Sequence, residues 1–315
     1  MKTFEKTIPI FFSSDKNYLP FLAVAIQSIK ENADDNFFYD IKILTEELDE
    51  NFSSAAEKLG AENVKVSFCN VSAKIKDHLQ KLKISLRDYY TVSIFYRLFI
   101  ASLFPDLDKA VYIDCDVVLV SDIKKLFDND VNGYLLGACT DQVVSVHKAF
   151  KVYVEKALGI KQSRYFNSGV LLMNLKEYRR QKIEEKFVYL LEKYNLESVA
   201  PDQDYLNVLC KDRVRYLDAG FDKMPTDEKP DYPLYLIHYN MFNKPWLYGD
   251  VKYGEYFWKY AKNTEFYAAL KKMQEDYSDR MKAADIAASK TLLEKSFKIA
   301  EYKTTFKTVM QKENL

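Results

Sequence analysis

Apolar and polar positions divide the first 250 residues into short buried runs separated by amphipathic stretches. Thr7 to Ser14 is an apolar run that closes on small polar side chains, which predicts a first buried strand. From Pro20 to Lys30, Leu22, Ala25, Ile26 and Ile29 recur at the helical period. Tyr39 to Thr45 reads as a second strand, Asp49 to Leu59 as a helix and Val64 to Cys69 as a third strand. Ile94 to Leu103 predicts a strongly apolar helix interrupted by Arg97, and Ala110 to Ile113 a further strand. Tyr134 to Thr140 and Val170 to Asn174 follow as strands, Asp202 to Cys210 as a short helix, and Leu234 to His238 as a late strand. Strands alternating with helices imply an α/β architecture, with a mostly parallel central sheet covered on both faces.

Beyond about residue 252 the texture changes. Residues 262–315 hold 11 Lys or Arg against 8 Asp or Glu, with no Gly or Pro, a composition that favours helix. A boundary near 250–262 divides the chain into a body, 1–255, and a helical C-terminal extension, 256–315. The extension reads as a solvated appendage packed on the body. The alternative is a basic amphipathic segment in peripheral contact with an anionic membrane surface, which so small a basic surplus supports only weakly.

Composition narrows the function classes. At 315 residues, 48% hydrophobic and zero formal net charge, the chain reads as a soluble globular protein, and nucleic acid is disfavoured as its main partner. The 24 Tyr and 21 Phe serve core packing first, although both rings also stack on sugars and bases. Cys69, Cys115, Cys139 and Cys210 show no CxxC spacing. Residues 1–14 carry no secretory signal, and no run is long and apolar enough to span a bilayer. These features predict a cytoplasmic chain with free thiols.

The most informative stretch is Ala110 to Val120, where Asp114 and Asp116 flank Cys115 at the end of an apolar run. Buried carboxylates are costly unless something neutralises them. In a strand, residues i and i+2 share a face, so the pair can grip one hard cation of the kind that phosphates share. An Asp-rich turn without a metal explains so short a pattern equally well. Polar clusters also fall at other strand ends, namely Ser13-Ser14-Asp15-Lys16-Asn17, Thr140-Asp141 and His238. Ligands of open α/β sheets bind beyond the carboxyl ends of the strands, so these groups are expected to converge on one crevice.

Six segments occur in order: Ser14 to Tyr18, Tyr96-Arg97-Leu98, Tyr112 to Asp116, Phe166 to Leu175, Asp202-Gln203-Asp204, and His238 followed by Lys244-Pro245-Trp246. Together they resemble the family 8 glycosyltransferases, retaining enzymes of the GT-A fold related to glycogenin and to bacterial lipopolysaccharide galactosyl- and glucosyltransferases. The resemblance spans roughly residues 8–250. It implies the GT-A nucleotide-diphospho-sugar transferase fold, with UDP-glucose or UDP-galactose as donor and a saccharide or glycolipid as acceptor. It implies Asp114, Asp116 and His238 as ligands of Mn²⁺, with Mg²⁺ as the alternative, and Cys115 between them at the donor. Lys244 falls where the family places a lysine on the pyrophosphate. Asp15, Asn17 and Tyr18 match the nucleoside pocket, with Ser13 and Ser14 beside them. Asp141, Asn167 and Asp202 match positions that hydrogen-bond the donor sugar, with Ser168 adjacent. Gln203 matches the side chain nearest the anomeric carbon, so Gln203 and Asp202 are the catalytic candidates. An amide is a poor nucleophile, which favours front-face transfer over a covalent double displacement. Arg97 meets either a buried carboxylate or the donor. Relatives usually carry glycine three residues after the ligand histidine, where this chain has Met241, a change that narrows the phosphate pocket or shifts its loop.

Two rival readings compete. A haloacid-dehalogenase-type phosphatase would use Asp114 as nucleophile and Asp116 as general acid, but it needs a later acidic metal pair for which Gly249-Asp250 is a weak candidate. A nucleotide-sugar-binding protein without turnover would keep the same motifs. If the membrane-surface reading of the extension holds, the protein is expected on the inner face of the membrane.

Overall fold

The computed structural model describes residues 3–46, 54, 58–72, 75, 92–226 and 230–315. A seven-stranded sheet forms the centre, in the order β3-β2-β1-β4-β7-β6-β8. Its strands are β1 (Lys6–Ser13), β2 (Phe37–Thr45), β3 (Val64–Asn70), β4 (Lys109–Ile113), β6 (Leu136–Thr140), β7 (Phe166–Asn174) and β8 (Val214–Tyr216). β7 runs antiparallel to both β4 and β6, and all the other pairings in this sheet are parallel. The mostly parallel α/β architecture read from the sequence is therefore the one observed.

Continuous apolar runs in these strands have a physical cause, because side chains alternate between two covered faces. Ile8, Ile10 and Phe12 of β1 join one buried cluster with Leu22, Ala25, Ile26 and Ile29 of helix α1 (Leu19–Asn32). Phe11, between them in sequence, joins the opposite cluster with Tyr112 of β4 and Leu171 and Met173 of β7. The helix expected at 94–103 begins instead as a 3₁₀ segment, Val92–Phe99, and becomes α-helical only at Ile100–Leu103. The helix expected at Asp49–Leu59 lies largely outside the described residues.

A second, two-stranded sheet pairs β5 (Val117–Leu119) with β9 (Leu236–His238), with Val117 opposite His238. Asp114 and Asp116 thus lie in the link between β4 and β5, not within one strand. The i, i+2 rule for strands does not bring them together, because the chain leaves the main sheet at Asp114 and enters the small one at Val117.

Helix α2 (Ile183–Tyr194) and helix α3 (Pro201–Leu209) follow β7. The C-terminal helices are α4 (Gly254–Ala261), α5 (Tyr267–Glu275), α6 (Asp279–Ala300) and α7 (Phe306–Glu313). The predicted helical texture is realised, and Ile299, Phe306 and Val309 are buried in the same cluster as β4 and β7. Among the described residues, no helix is long and apolar enough to cross a membrane.

A buried carboxyl ties α3 to the segment entering β7. Asp204 accepts hydrogen bonds from the hydroxyls of Tyr153 and Tyr165 and from the amides of Val199 and Ala200. Burial pushes this carboxyl up to about 6 despite those donors. A carboxyl raised in the folded state holds its proton more tightly folded than unfolded, so its contribution to stability falls as pH rises from about 4 to about 6. Urea denaturation at pH 4 and pH 7 should therefore show wild type losing about 2 kcal/mol relative to Asp204→Asn at the higher pH. Parallel pH profiles would show that Asp204 does not titrate in this range.

Candidate active site

The reversed direction of β7 brings the start of that strand to the carboxyl edge of its parallel neighbours. Asn167, Ser168 and Gly169 consequently sit beside the end of β4, where the Asp114 amide donates to Gly169 O at 2.8 Å. The small sheet completes the arrangement, since the Tyr239 amide donates to Asp116 O at 2.9 Å and sets His238 against the aspartates. His238 Nε2 lies 3.2 Å from Asp116 Oδ1 and 3.9 Å from Asp114 Oδ2. One ligand atom from each of the three residues falls within 4.8 Å of the others.

The donor set fits a divalent cation. His238 Nδ1 is 2.9 Å from Oδ1 of the fully buried Asp222, which holds the ring so that Nε2 faces Asp114 and Asp116. Burial disfavours the imidazolium, but Asp116 and Asp222 outweigh it and push His238 up to about 10. The same surplus of negative charge suits a metal ion, which needs the neutral ring and takes the place of its proton. The backbone also leaves room: a Cβ on Gly169 would fall 2.3 Å from His238 Cε1 and 2.6 Å from Asp114 Oδ2. Any side chain at Gly169 would fill the space between His238 and Asp114.

Lys244 forms an ion pair with Asp116. Burial alone would raise the Asp116 carboxyl, but Lys244 and then His238 hold it well below the usual carboxylate range. Arg97 is buried beneath the cluster. Its Nη2 donates to Asp114 Oδ1 at 2.9 Å, its Nη1 to Ser168 O at 2.7 Å and its Nε to Ile94 O at 2.9 Å. Nε is also 3.3 Å from Asp202 Oδ2, and the guanidinium lies 4.3 Å over the Tyr112 ring. Burial opposes its charge, yet Asp114 and Asp202 outweigh burial and keep it protonated.

The remaining sugar-site candidates form one network. Ser168 Oγ donates to Asp202 Oδ2 at 2.8 Å, and the Ser168 amide donates to Gln203 Oε1 at 2.9 Å. Gln203 Nε2 then donates to Asp141 Oδ2 at 3.1 Å, and Asn167 Nδ2 reaches the same oxygen at 3.3 Å. Burial pushes the Asp202 carboxyl up, only partly offset by Arg97. The Ser13–Tyr18 segment leads out of the end of β1. The Cys115 thiol donates to Ser13 O at 3.3 Å, which fastens this segment to the Asp-Cys-Asp link. Asp15 caps the next turn, accepting from the amides of Asn17 at 2.8 Å and Tyr18 at 3.2 Å. The Asn17 and Tyr18 side chains are exposed.

With this geometry in place, the relatives are informative. Residues 9–250 match the sequence profile described as "Glycosyl transferase family 8", which is most of the chain. The chain belongs to glycosyltransferase family 8. It is 32% identical over 254 residues to a Haemophilus influenzae protein named "Putative glycosyltransferase", covering 76% of this chain and 73% of that one. It is 28% identical over 263 residues to an Escherichia coli K12 lipopolysaccharide 1,2-glucosyltransferase, covering 78% and 75%. Among solved structures, the galactosyltransferase LgtC with donor and acceptor sugar analogues superposes with a TM-score of 0.66 at 26% identity, over 84% of this chain and all of that one (100%). The bifunctional glycosyltransferase WbbM shares the fold, with a TM-score of 0.72 at 24% identity over 88% of this chain and 53% of that one. The fold is GT-A.

The phosphatase rival loses its second acidic pair, because Asp250 is exposed and the group among the described residues that could hold a metal is Asp114, Asp116 and His238. The departure at Met241 leaves a mark in the backbone. Met241 keeps φ at 58°, the left-handed conformation that glycine adopts without cost, while its side chain stands 48% exposed. Within this family 8 chain, sequence reasoning missed Asp222 as the partner of His238 and Gly169 as the residue that spaces the ligands. A ligand histidine announces that some carboxylate or carbonyl will hold its other nitrogen, but no motif near Asp222 says which. Asp222→Asn should weaken Mn²⁺ binding about tenfold or more, read by titration of the free-ion electron paramagnetic resonance signal. Unchanged affinity in a folded variant would leave Asp222 without a role at the metal.

Proposed function

We propose that the protein is a metal-dependent retaining glycosyltransferase that moves glucose or galactose from a UDP-sugar to a glycan or glycolipid acceptor. The observation that carries this reading is the convergence of Asp114, Asp116 and His238 on one point, with Lys244 joined to Asp116 at its side. Mn²⁺, or Mg²⁺ in its place, would be held by those three residues and would supply Lewis-acid stabilisation of the departing diphosphate. Lys244 adds a mobile positive charge for the same phosphates. Asp15, Asn17 and Tyr18, with Ser13 and Ser14, line the nucleoside end, and Met241 and Cys115 flank the diphosphate.

Asp141, Asn167, Ser168 and Asp202 form the floor for the sugar hydroxyls. A polar floor discriminates epimers, since the wrong hydroxyl leaves a buried group unpaired. Arg97 acts from below by fixing Asp114 and Asp202. Gln203 is oriented at both ends of its amide, by the Ser168 N–H and the Asp141 carboxylate. From there it stabilises the oxocarbenium-like centre electrostatically during front-face transfer, while the leaving phosphate accepts the acceptor's proton. Ser168 Oγ and Arg97 Nε both reach Asp202 Oδ2 and so fix the orientation of this carboxylate.

A lipid-linked acceptor would draw a cytoplasmic chain to the inner face of the membrane. Such contact would run through the C-terminal helices, where α6 exposes Ile286 and Phe297 with Lys290 between them.

Purified protein given UDP-glucose or UDP-galactose with Mn²⁺ should release UDP slowly, and chelator or Asp116→Ala should abolish release without unfolding the chain. Release of phosphate from simple esters, or binding without turnover across a broad acceptor panel, would refute the reading. Gln203→Ala should keep UDP affinity and lose about 10²-fold or more in kcat. Loss of affinity at unchanged kcat would instead assign Gln203 to binding.

A further inference from the structure

The family match ends at residue 250, yet the segment that presents Lys244 is held from beyond that point. Residues 244–248 form a tight turn in which the Leu247 and Tyr248 amides donate to Lys244 O at 3.0 and 2.9 Å. Gln274, in the last turn of α5, directs its amide nitrogen at two carbonyls of this turn, Pro245 O at 2.6 Å and Tyr248 O at 2.9 Å. Asp285 of α6 is buried and accepts from the Tyr248 hydroxyl at 2.7 Å and the Tyr277 hydroxyl at 2.6 Å. From the other side, Trp246 stacks on Phe21 of α1 with centroids 4.2 Å apart and leans on Phe257 of α4 at 4.9 Å. The C-terminal helices therefore fix the backbone of the turn, and aromatic packing fixes its middle side chain.

A lysine is a point charge on a flexible stem, so where it can reach depends on where its Cα is held. A turn already fixed loses less freedom when its lysine grips a ligand, and small misplacements at a charge-stabilising group are costly. We propose that Gln274 and Asp285 are positioning residues for the donor's diphosphate, holding the Lys244 turn so that the C-terminal helices set the affinity for a nucleoside diphosphate. The inference rests on the UDP-sugar reading above.

The bland alternative is that both residues only fasten α5 and α6 to the body. That role would lower the melting temperature but treat UDP and UMP alike, because neither residue reaches the nucleoside end. The test is calorimetric titration of the full chain with UDP and with UMP in Mn²⁺, using wild type, Gln274→Met, Lys244→Met and the double variant. Gln274→Met keeps length and shape but removes the donor. It should lose about tenfold in UDP affinity with UMP affinity nearly unchanged. The double variant should bind UDP no more weakly than Lys244→Met alone, because both substitutions remove one coupled interaction. Equal losses for the two nucleotides, no loss, or additive losses would overturn the proposal. If Gln274→Met fails to fold, Tyr248→Phe drops the bond to Asp285 and carries the same comparison. Wild type that binds no UDP would overturn the UDP-sugar reading and this inference with it. Wild type that binds UDP, with its preference over UMP intact in the variants, would overturn the inference alone.

Discussion

Several carboxylates crowd the carboxyl edge of the sheet, and cations threaded between them make that crowding tolerable. Arg97 lies between Asp114 and Asp202, His238 between Asp116 and Asp222, and Lys244 against Asp116. Breaking one such pair leaves a buried charge uncompensated, which is the costly case, whereas the intact set fixes where each oxygen points. Gly169 sets the spacing, because the gap its missing side chain leaves separates an imidazole from a carboxylate.

Much of the fold was legible because the strands are buried on both faces and so write themselves as unbroken apolar runs. Strand direction was not legible. Nothing in Val170 to Asn174 tells a parallel strand from an antiparallel one, yet the reversal of β7 is what delivers Asn167 and Ser168 to the site. The Asp-x-Asp pair was recognised for a reason that does not hold in detail, since the two residues belong to a link between two sheets. Their convergence with His238 comes from the β5–β9 pairing, a contact between distant segments that periodicity cannot encode.

The site shows the same division. Residues carried by ordered motifs could be named from the chain alone, and Met241 could be singled out because the resembled family usually carries glycine there, although its left-handed φ appears only in the structure. Asp222 could not, because its neighbours Phe221 and Lys223 form no pattern and its role exists only through the ring it touches. Arg97 was visible as an oddity in an apolar stretch. Its three-way attachment to the β4–β5 link, β7 and α3 required the packed structure.

The β5–β9 pair also bears on how the chain acquires its site. Residues 117–119 and 236–238 lie far apart in the chain, so their pairing closes a long loop and carries its entropy cost. A cation gripping Asp114, Asp116 and His238 binds the assembled state alone, so it draws the unfolded–folded equilibrium toward completion by mass action. An ion held there would thereby also be a clasp on the finished chain, and its removal would act on the persistence of the fold.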